Sequence, residues 1–433
     1  MDLIIKGGHI VDPSQGIDFI GNVYIDNGRI LKIVSADKNS TQAPLPDTTK
    51  TIDATGLHVF PGLVDMHTHL REPGFEYKET IKSGTYAAVK GGFTSVCCMP
   101  NTKPVNDNET VTEFIVKKAL SEGSCNVFPI GAITKKQEGV ELAEMGMMRD
   151  AGAVAFSDDG HPVADSLVMR RALEYSRVFD APIISHAEDL SLSDGGVMNE
   201  GYLSTVLGLK GIPASSEVIA IKRDIELAAL TGGRLHIAHV STAGGVRAIR
   251  EAKRDGILVT AETCPHYFHV TEAEADGYNT AAKVNPPLRT KKDVEAVREG
   301  LIDGTIDVIA TDHAPHHRDD KMCEFDRAAF GISGLETAFS LSLVLVKEGL
   351  LPLNKLIEKM SWVPARILNL DKGTLREGAD ADIAIIDINK DFSINPEQFV
   401  SKGKNTPFSG WSLKGLPVMA LCKGIVKYTL LTI

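Results

Sequence analysis

Residues 63–70 read LVDMHTHL, a short and mostly apolar run that closes on two histidines, His67 and His69. Side chains in a strand alternate sides, so residues two positions apart, such as His67 and His69, point the same way. A run this apolar suits a strand covered on both faces, as in a parallel sheet wrapped by helices. The sequence downstream repeats the arrangement. ETIKSGTYAAVK (79–90) reads as a helix stopped by Gly91 and Gly92, because glycine takes up the backbone turn after a helix end. Seven more apolar runs follow: TSVCCMP (94–100), CNVFPIGAI (125–133), AVAFSDDG (153–160), APIISHAED (181–189), RLHIAHVST (234–242), ILVTAETCP (257–265) and TIDVIATDHAPH (305–316). Helical stretches separate them, including VTEFIVKKALSEG (111–123), VELAEMGMMRDAG (140–152) and KKDVEAVREGLIDG (291–304). LETAFSLSLVLVKEGL (335–350) closes the series. Eight strand–helix units predict an α/β fold, a (β/α)8 TIM-type barrel. A doubly wound open sheet is the rival, but it wants a glycine-rich phosphate loop after its first strand, and none is present.

Both chain ends have a different texture. LIIKGGHIVDP (3–13) and GNVYIDNGRILKIV (21–34) read as strands, with Asn27-Gly28 as a hairpin turn. SADKNSTQAPLPDTTK (35–50) reads as a polar loop, and TIDATGLHVFPG (51–62) returns to extended chain. The tail is again strand-like at GADADIAIIDI (378–388) and VMALCKGIVKY (418–428). The expectation is a small β-sandwich built from residues 1–58 and 369–433, flanking a barrel over 59–368.

Composition narrows the partners. The formal net charge is −11 over 433 residues, which disfavours nucleic acid, since that partner wants a basic stripe. Six scattered cysteines, none in a CxxC pair, argue against a disulfide framework. No segment reaches the roughly 18 apolar residues of a membrane helix, and the amino terminus has no secretory pattern. The expected location is cytoplasmic, with no membrane partner.

The ends of the strands carry the chemistry. His67 and His69 end the first, Asp158-Asp159 the fourth, His186 the fifth, His239 the sixth and Asp312 the eighth. Barrel enzymes assemble their sites at that mouth. Imidazole and carboxylate together suit zinc and similar divalent ions. Six ligands exceed the needs of one tetrahedral ion, whereas two ions sharing a carboxylate would use them all.

At these residues the chain resembles the amidohydrolase superfamily, and within it the bacterial class I dihydroorotases. The likeness runs through PGLVDMHTHLREPG (61–74), CMPNTKPV (98–105), AFSDDG (155–160), ISHAED (184–189), IAHVST (237–242), VNPPLR (284–289), IATDHAPH (309–316) and FGISGLETA (330–338). It implies reversible, zinc-dependent cyclisation of N-carbamoyl-L-aspartate to L-dihydroorotate in pyrimidine biosynthesis. His67, His69 and Asp312 would bind the more buried of two Zn2+ ions, and His186 and His239 the second. Asp159, rather than Asp158, would bridge them, and Asp312 would be the general acid/base. Arg71, Asn101 and His316 would hold the substrate carboxylate. Asn285 and the backbone at Phe330 and Gly331 would meet the ring amides. His313 and His317 are treated as bystanders.

Hydantoinases and many allantoinases carry a carboxylated lysine at the fourth strand, and AVAFSDDG has none. Those enzymes act on neutral rings, which need no carboxylate trap. A second rival is a barrel that has lost its metal and serves aspartate transcarbamoylase as a scaffold, but every ligand position is filled here. The resemblance further implies a homodimer, with possible association with aspartate transcarbamoylase. The chain departs from its relatives at Ala329, where proline often stands, and in CPHYF (264–268).

Overall fold

The computed structural model describes residues 1–38 and 49–431. Most of the polar loop expected over 35–50 lies outside the described residues.

The amino-terminal strands are β1 (Leu3–Asp12), β2 (Ile17–Asp26), β3 (Arg29–Ser35), β4 (Lys50–Asp53) and β5 (His58–Pro61). The barrel strands are β6 (Leu63–Thr68), β7 (Phe93–Cys98), β8 (Asn126–Gly131), β9 (Ala155–Ser157) and β10 (Ile183–Ser185), then β13 (Leu235–Ile237), β14 (Val259–Thr263) and β15 (Val308–Ile309). Between β10 and β13 the chain makes a short excursion that pairs β11 (Met198–Asn199) with β12 (Gly211–Ile212). The carboxy-terminal strands are β16 (Ile383–Ser393), β17 (Ser412–Cys422) and β18 (Ile425–Thr429).

The eight barrel strands pair in parallel in sequence order, β6 to β15. The ring is drawn together by a parallel bridge between Thr68 and His313, with His69 N–H donating to His313 O at 2.8 Å. This closure sets the ends of the first and eighth strands, with His67, His69 and Asp312, side by side.

The expected helices are present with local trims. The one read over 140–152 forms only at Met145–Asp150. Its leading residues are taken by a bridge from Leu142 to Thr134 and by the Ala143 N–H bond to Ile133 O, since a backbone already paired cannot enter a helix. The eighth strand is shorter than its apolar run and ends at Ile309. Beyond it Asp312 adopts a left-handed φ of 44°, unusual for a residue with a Cβ.

The two chain ends pair in one mixed eight-stranded sheet, ordered β18-β17-β16-β5-β1-β2-β3 with β4 on β1. Strand periodicity is visible in β16. Ile383 and Ile385 pack with Ile5, Val23 and Met419 in a core belonging to the end sheet, whereas Ala384 and Ile386 join the barrel core. Phe60 and Phe339, both fully buried with rings 6.0 Å apart, fasten the sheet to the last barrel helix. Truncating a buried phenylalanine costs about 3–5 kcal/mol. Asp12 ties the ends directly, its carboxylate accepting from Ser14 N at 2.9 Å and Leu375 N at 2.7 Å. Five of the six free cysteines are buried. Among the described residues no helix is long and apolar enough to cross a membrane.

Candidate active site

At the mouth of the barrel, His67, His69, His186, His239, Asp159 and Asp312 converge, each no more than 5% exposed. Asp159 is the hub. Its Oδ1 lies 3.4 Å from His67 Nε2, 3.4 Å from His186 Nδ1 and 3.5 Å from His239 Nε2, and its Oδ2 lies 3.5 Å from His69 Nε2. Asp312 Oδ1 lies 3.1 Å from His69 Nε2 and 3.5 Å from His67 Nε2. Asp158 faces elsewhere. Its carboxylate accepts from the backbone of Ile133 at 2.8 Å and of Thr134 at 3.1 Å, and from the Thr134 hydroxyl, so it braces the turn after β8.

Three of the four imidazoles have their outer nitrogen engaged. His67 Nδ1 donates to Glu262 Oε1 at 2.6 Å, His69 Nδ1 to Asn101 Oδ1 at 2.9 Å, and His186 Nε2 to Glu188 Oε2 at 3.2 Å. A carboxylate or amide oxygen can only accept, so in the neutral imidazole that a metal requires these bonds place the proton on the outer nitrogen and leave a lone pair facing the hub. Lone pairs therefore face carboxylate oxygens, an arrangement that repels unless a cation stands between them. His67 Nε2, His186 Nδ1 and Asp159 Oδ1 are all buried without a hydrogen-bond partner. Two ligand atoms each about 2.1 Å from one ion at a tetrahedral angle stand about 3.4 Å apart, which is the spacing around Asp159. Donor chemistry, spacing and orphaned atoms thus fit a divalent metal centre. Two triads, His67–Asp159–His239 and His67–His69–Asp312, each converge closely enough to hold an ion.

The electrostatics agree. Burial would raise the Asp159 carboxyl, but His67, His186 and His239 hold it well below the usual carboxylate range. Burial likewise opposes Asp312, yet His67 and His69 keep it low. Burial should depress His186, but Asp159 and Glu188 push it up to about 10. Both buried carboxyls are thus held in the anionic form that a metal ligand must have.

Glu262 and Glu188 are functional neighbours that the sequence reading missed. Glu262 is fully buried at the end of β14, and His236 Nε2 approaches its second oxygen at 3.3 Å. Glu188 also accepts from Asn285 Nδ2 at 3.0 Å. The available signals were the strand-end position of Glu262 in VTAETCP and the period-two spacing of Glu188 from His186.

The remaining candidates line one cavity of about 190 Å³ beside the hub. Arg71, at φ 63°, lies with its guanidinium 3.3 Å from His316 Nε2. His316 Nε2 donates to Phe330 O at 2.8 Å. Asn101 Nδ2 makes long contacts of 3.3 and 3.4 Å to Asp159, and Asn285 reaches the cavity past Glu188. Gly331 has φ 147°, and a Cβ there would lie 2.6 Å from Ala314 O. His313 is buried beneath the mouth, where its Nδ1 accepts from Gly334 N at 3.1 Å, and His317 is exposed.

Comparison with known proteins assigns this architecture. Residues 56–244 match the model of the dihydro-orotase-like family, and 220–431 that of an amidohydrolase family. The dihydroorotase of Syntrophus aciditrophicus (strain SB) is 55% identical over 428 residues, covering 99% of both chains. The chain belongs to the dihydroorotase family. The dihydroorotase of Geobacter metallireducens is also 55% identical, over 99% of this chain and all of that one. Among solved structures, the L-hydantoinase (dihydropyrimidinase) from Arthrobacter aurescens superposes with a TM-score of 0.87 at 28% identity, covering 100% and 97% of the two chains. This chain therefore shares its scaffold with a hydantoinase. In this member β9 leads into Asp158-Asp159, with no lysine in 153–160.

Proposed function

We propose that this chain is a class I dihydroorotase that closes N-carbamoyl-L-aspartate to L-dihydroorotate and reopens it, with two Zn2+ ions held around Asp159. The observation that carries the reading is the hub itself, with four imidazoles and two carboxylates facing one another beside a cavity whose rim holds Arg71. His67, His69 and Asp312 would hold one ion, His186 and His239 the other, with Asp159 between them. Bound there, the ions supply hydroxide at neutral pH and Lewis acidity at the amide carbonyl. Asp312 takes the proton of the attacking water and gives it to the departing ring nitrogen. In the closing direction Asp312 starts protonated, so closure is favoured as the pH falls.

The guanidinium of Arg71 suits a carboxylate, which it can meet with two parallel N–H bonds. His316 would join it with the Nε2 proton now given to Phe330 O. Asn101 has one weakly committed N–H2 group to offer. Asn285 and the backbone at Phe330 and Gly331 would address the ring amides. We read the end sheet as a small β-sandwich domain of residues 1–58 and 369–433 on a 59–368 barrel. A cytoplasmic homodimer follows the family likeness, and aspartate transcarbamoylase is the candidate partner.

The test is a direct assay of dihydroorotate against hydantoin and allantoin, with Arg71→Ala alongside. Dihydroorotate should be the preferred substrate. Loss of a charge-assisted contact made equally in ground and transition states should raise KM by about 10- to 100-fold with little change in kcat. An unchanged KM removes Arg71 from the clamp, and preference for a neutral ring overturns the substrate assignment.

A further inference from the structure

Two lysines near the cavity are buried with no carboxylate partner among the described residues. Lys283 is 2% exposed and Lys321 is 7% exposed. Unpaired buried ammonium groups are uncommon, because removing such a charge from water is costly. Here each ammonium is solvated by main-chain carbonyls from across a loop. Lys283 Nζ donates to Phe325 O at 2.8 Å and Asp326 O at 2.9 Å. It also stands 4.5 Å from the centre of the Phe330 ring, a favourable cation–π approach. Lys321 Nζ, on the loop, donates back to Thr280 O and Lys283 O, both at 3.0 Å. The Thr280 hydroxyl donates to Lys321 O at 2.7 Å, and Gly331 N donates to Lys283 O at 2.9 Å.

These bonds all join the 280–283 segment to the loop between Lys321 and Gly331. That loop ends in Phe330 and Gly331, two of the residues that line the cavity, and Phe330 O also accepts from His316 Nε2. Lysine fits this role because its ammonium has three donors and no acceptor. Burial draws Lys283 down to about 8 and Lys321 to about 7, so the carbonyls replace the lost water only in part.

We propose that Lys283 and Lys321 form a reciprocal ammonium-to-carbonyl latch that fixes the loop, and that Lys283 is thereby a positioning residue for the ring-binding edge of the cavity. The proposal rests on Phe330 and Gly331 meeting the substrate ring. The latch makes no contact with the metal hub, so it acts on substrate capture rather than on the chemical step.

The test compares Lys283→Met, Lys321→Met and Asp326→Asn with the parent holoenzyme. Amide hydrogen exchange over 322–331, metal content and dihydroorotate kinetics are read together. Both methionine variants should speed exchange of that segment by about 10-fold or more. Lys283→Met should raise KM by about 10-fold with kcat within about 3-fold and metal content unchanged. Asp326→Asn, which keeps its backbone carbonyl, should behave as the parent. Unchanged exchange in both methionine variants overturns the latch. So does an Asp326→Asn variant that matches Lys283→Met, because an ion pair would then carry the effect. Faster exchange with unaltered KM overturns the positioning role. A parent enzyme inactive on dihydroorotate defeats the functional reading instead, and the exchange data then judge the latch alone.

Discussion

Asp312→Asn should lower kcat for dihydroorotate by about 10³-fold, within the range of a lost general acid/base, while KM moves by less than about 10-fold. The substitution keeps an oxygen facing His69 and His67 and removes only the ability to carry a proton. Asp312 Oδ1 is 3.1 Å from His69 Nε2, and the residue is buried with its backbone at φ 44°. Such a backbone angle is unusual for a residue with a Cβ, and asparagine tolerates it as aspartate does. The variant should therefore fold and hold metal, and the defect should appear in single turnover. Near-normal kcat with metal in place would remove Asp312 from proton transfer.

Asp159→Ala should be at least as damaging, through a different route. The side chain is the one group facing all four histidines, and its loss leaves their lone pairs directed at one another with no shared anion. Bound metal should fall below that of the parent by at least half, and turnover by on the order of 10³-fold, since metal activation supplies several kcal/mol and each 1.4 kcal/mol is about a factor of ten. Metal analysis of the purified variant beside its kinetics checks both halves. Asp158→Ala provides the contrast. Its carboxylate braces Ile133 and Thr134, so its cost should fall on stability, with metal content retained.

The adjacent pair Asp158-Asp159 shows where sequence reasoning reaches its limit. The chain leaves extended structure after Ser157, so strand alternation cannot choose between the two carboxylates. Family likeness favoured Asp159, and the coordinates put it among the histidines. His67 and His69 were readable because one lies in β6 and the other just beyond it, so that period two brings both to one side. Glu262 escaped notice because its partner His67 is 195 positions away, across a barrel whose closure no local pattern encodes. The ammonium latch escaped for the same reason, as its acceptors are backbone carbonyls with no residue-type signature. The helix expected over 140–152 is confined to Met145–Asp150 by a bridge between Thr134 and Leu142, a tertiary choice that overrode a helical apolar pattern. The pairing of the chain ends was visible in their strand-like texture, but the strand order, with β5 between β1 and β16, was not.

The most direct trial of the dual-ion centre is metal content determined on the same preparation as dihydroorotate turnover, before and after chelation and zinc return. The expected result is about two zinc ions per chain, turnover lost on chelation and regained on zinc addition. Full turnover by a chain stripped of metal would contradict the account.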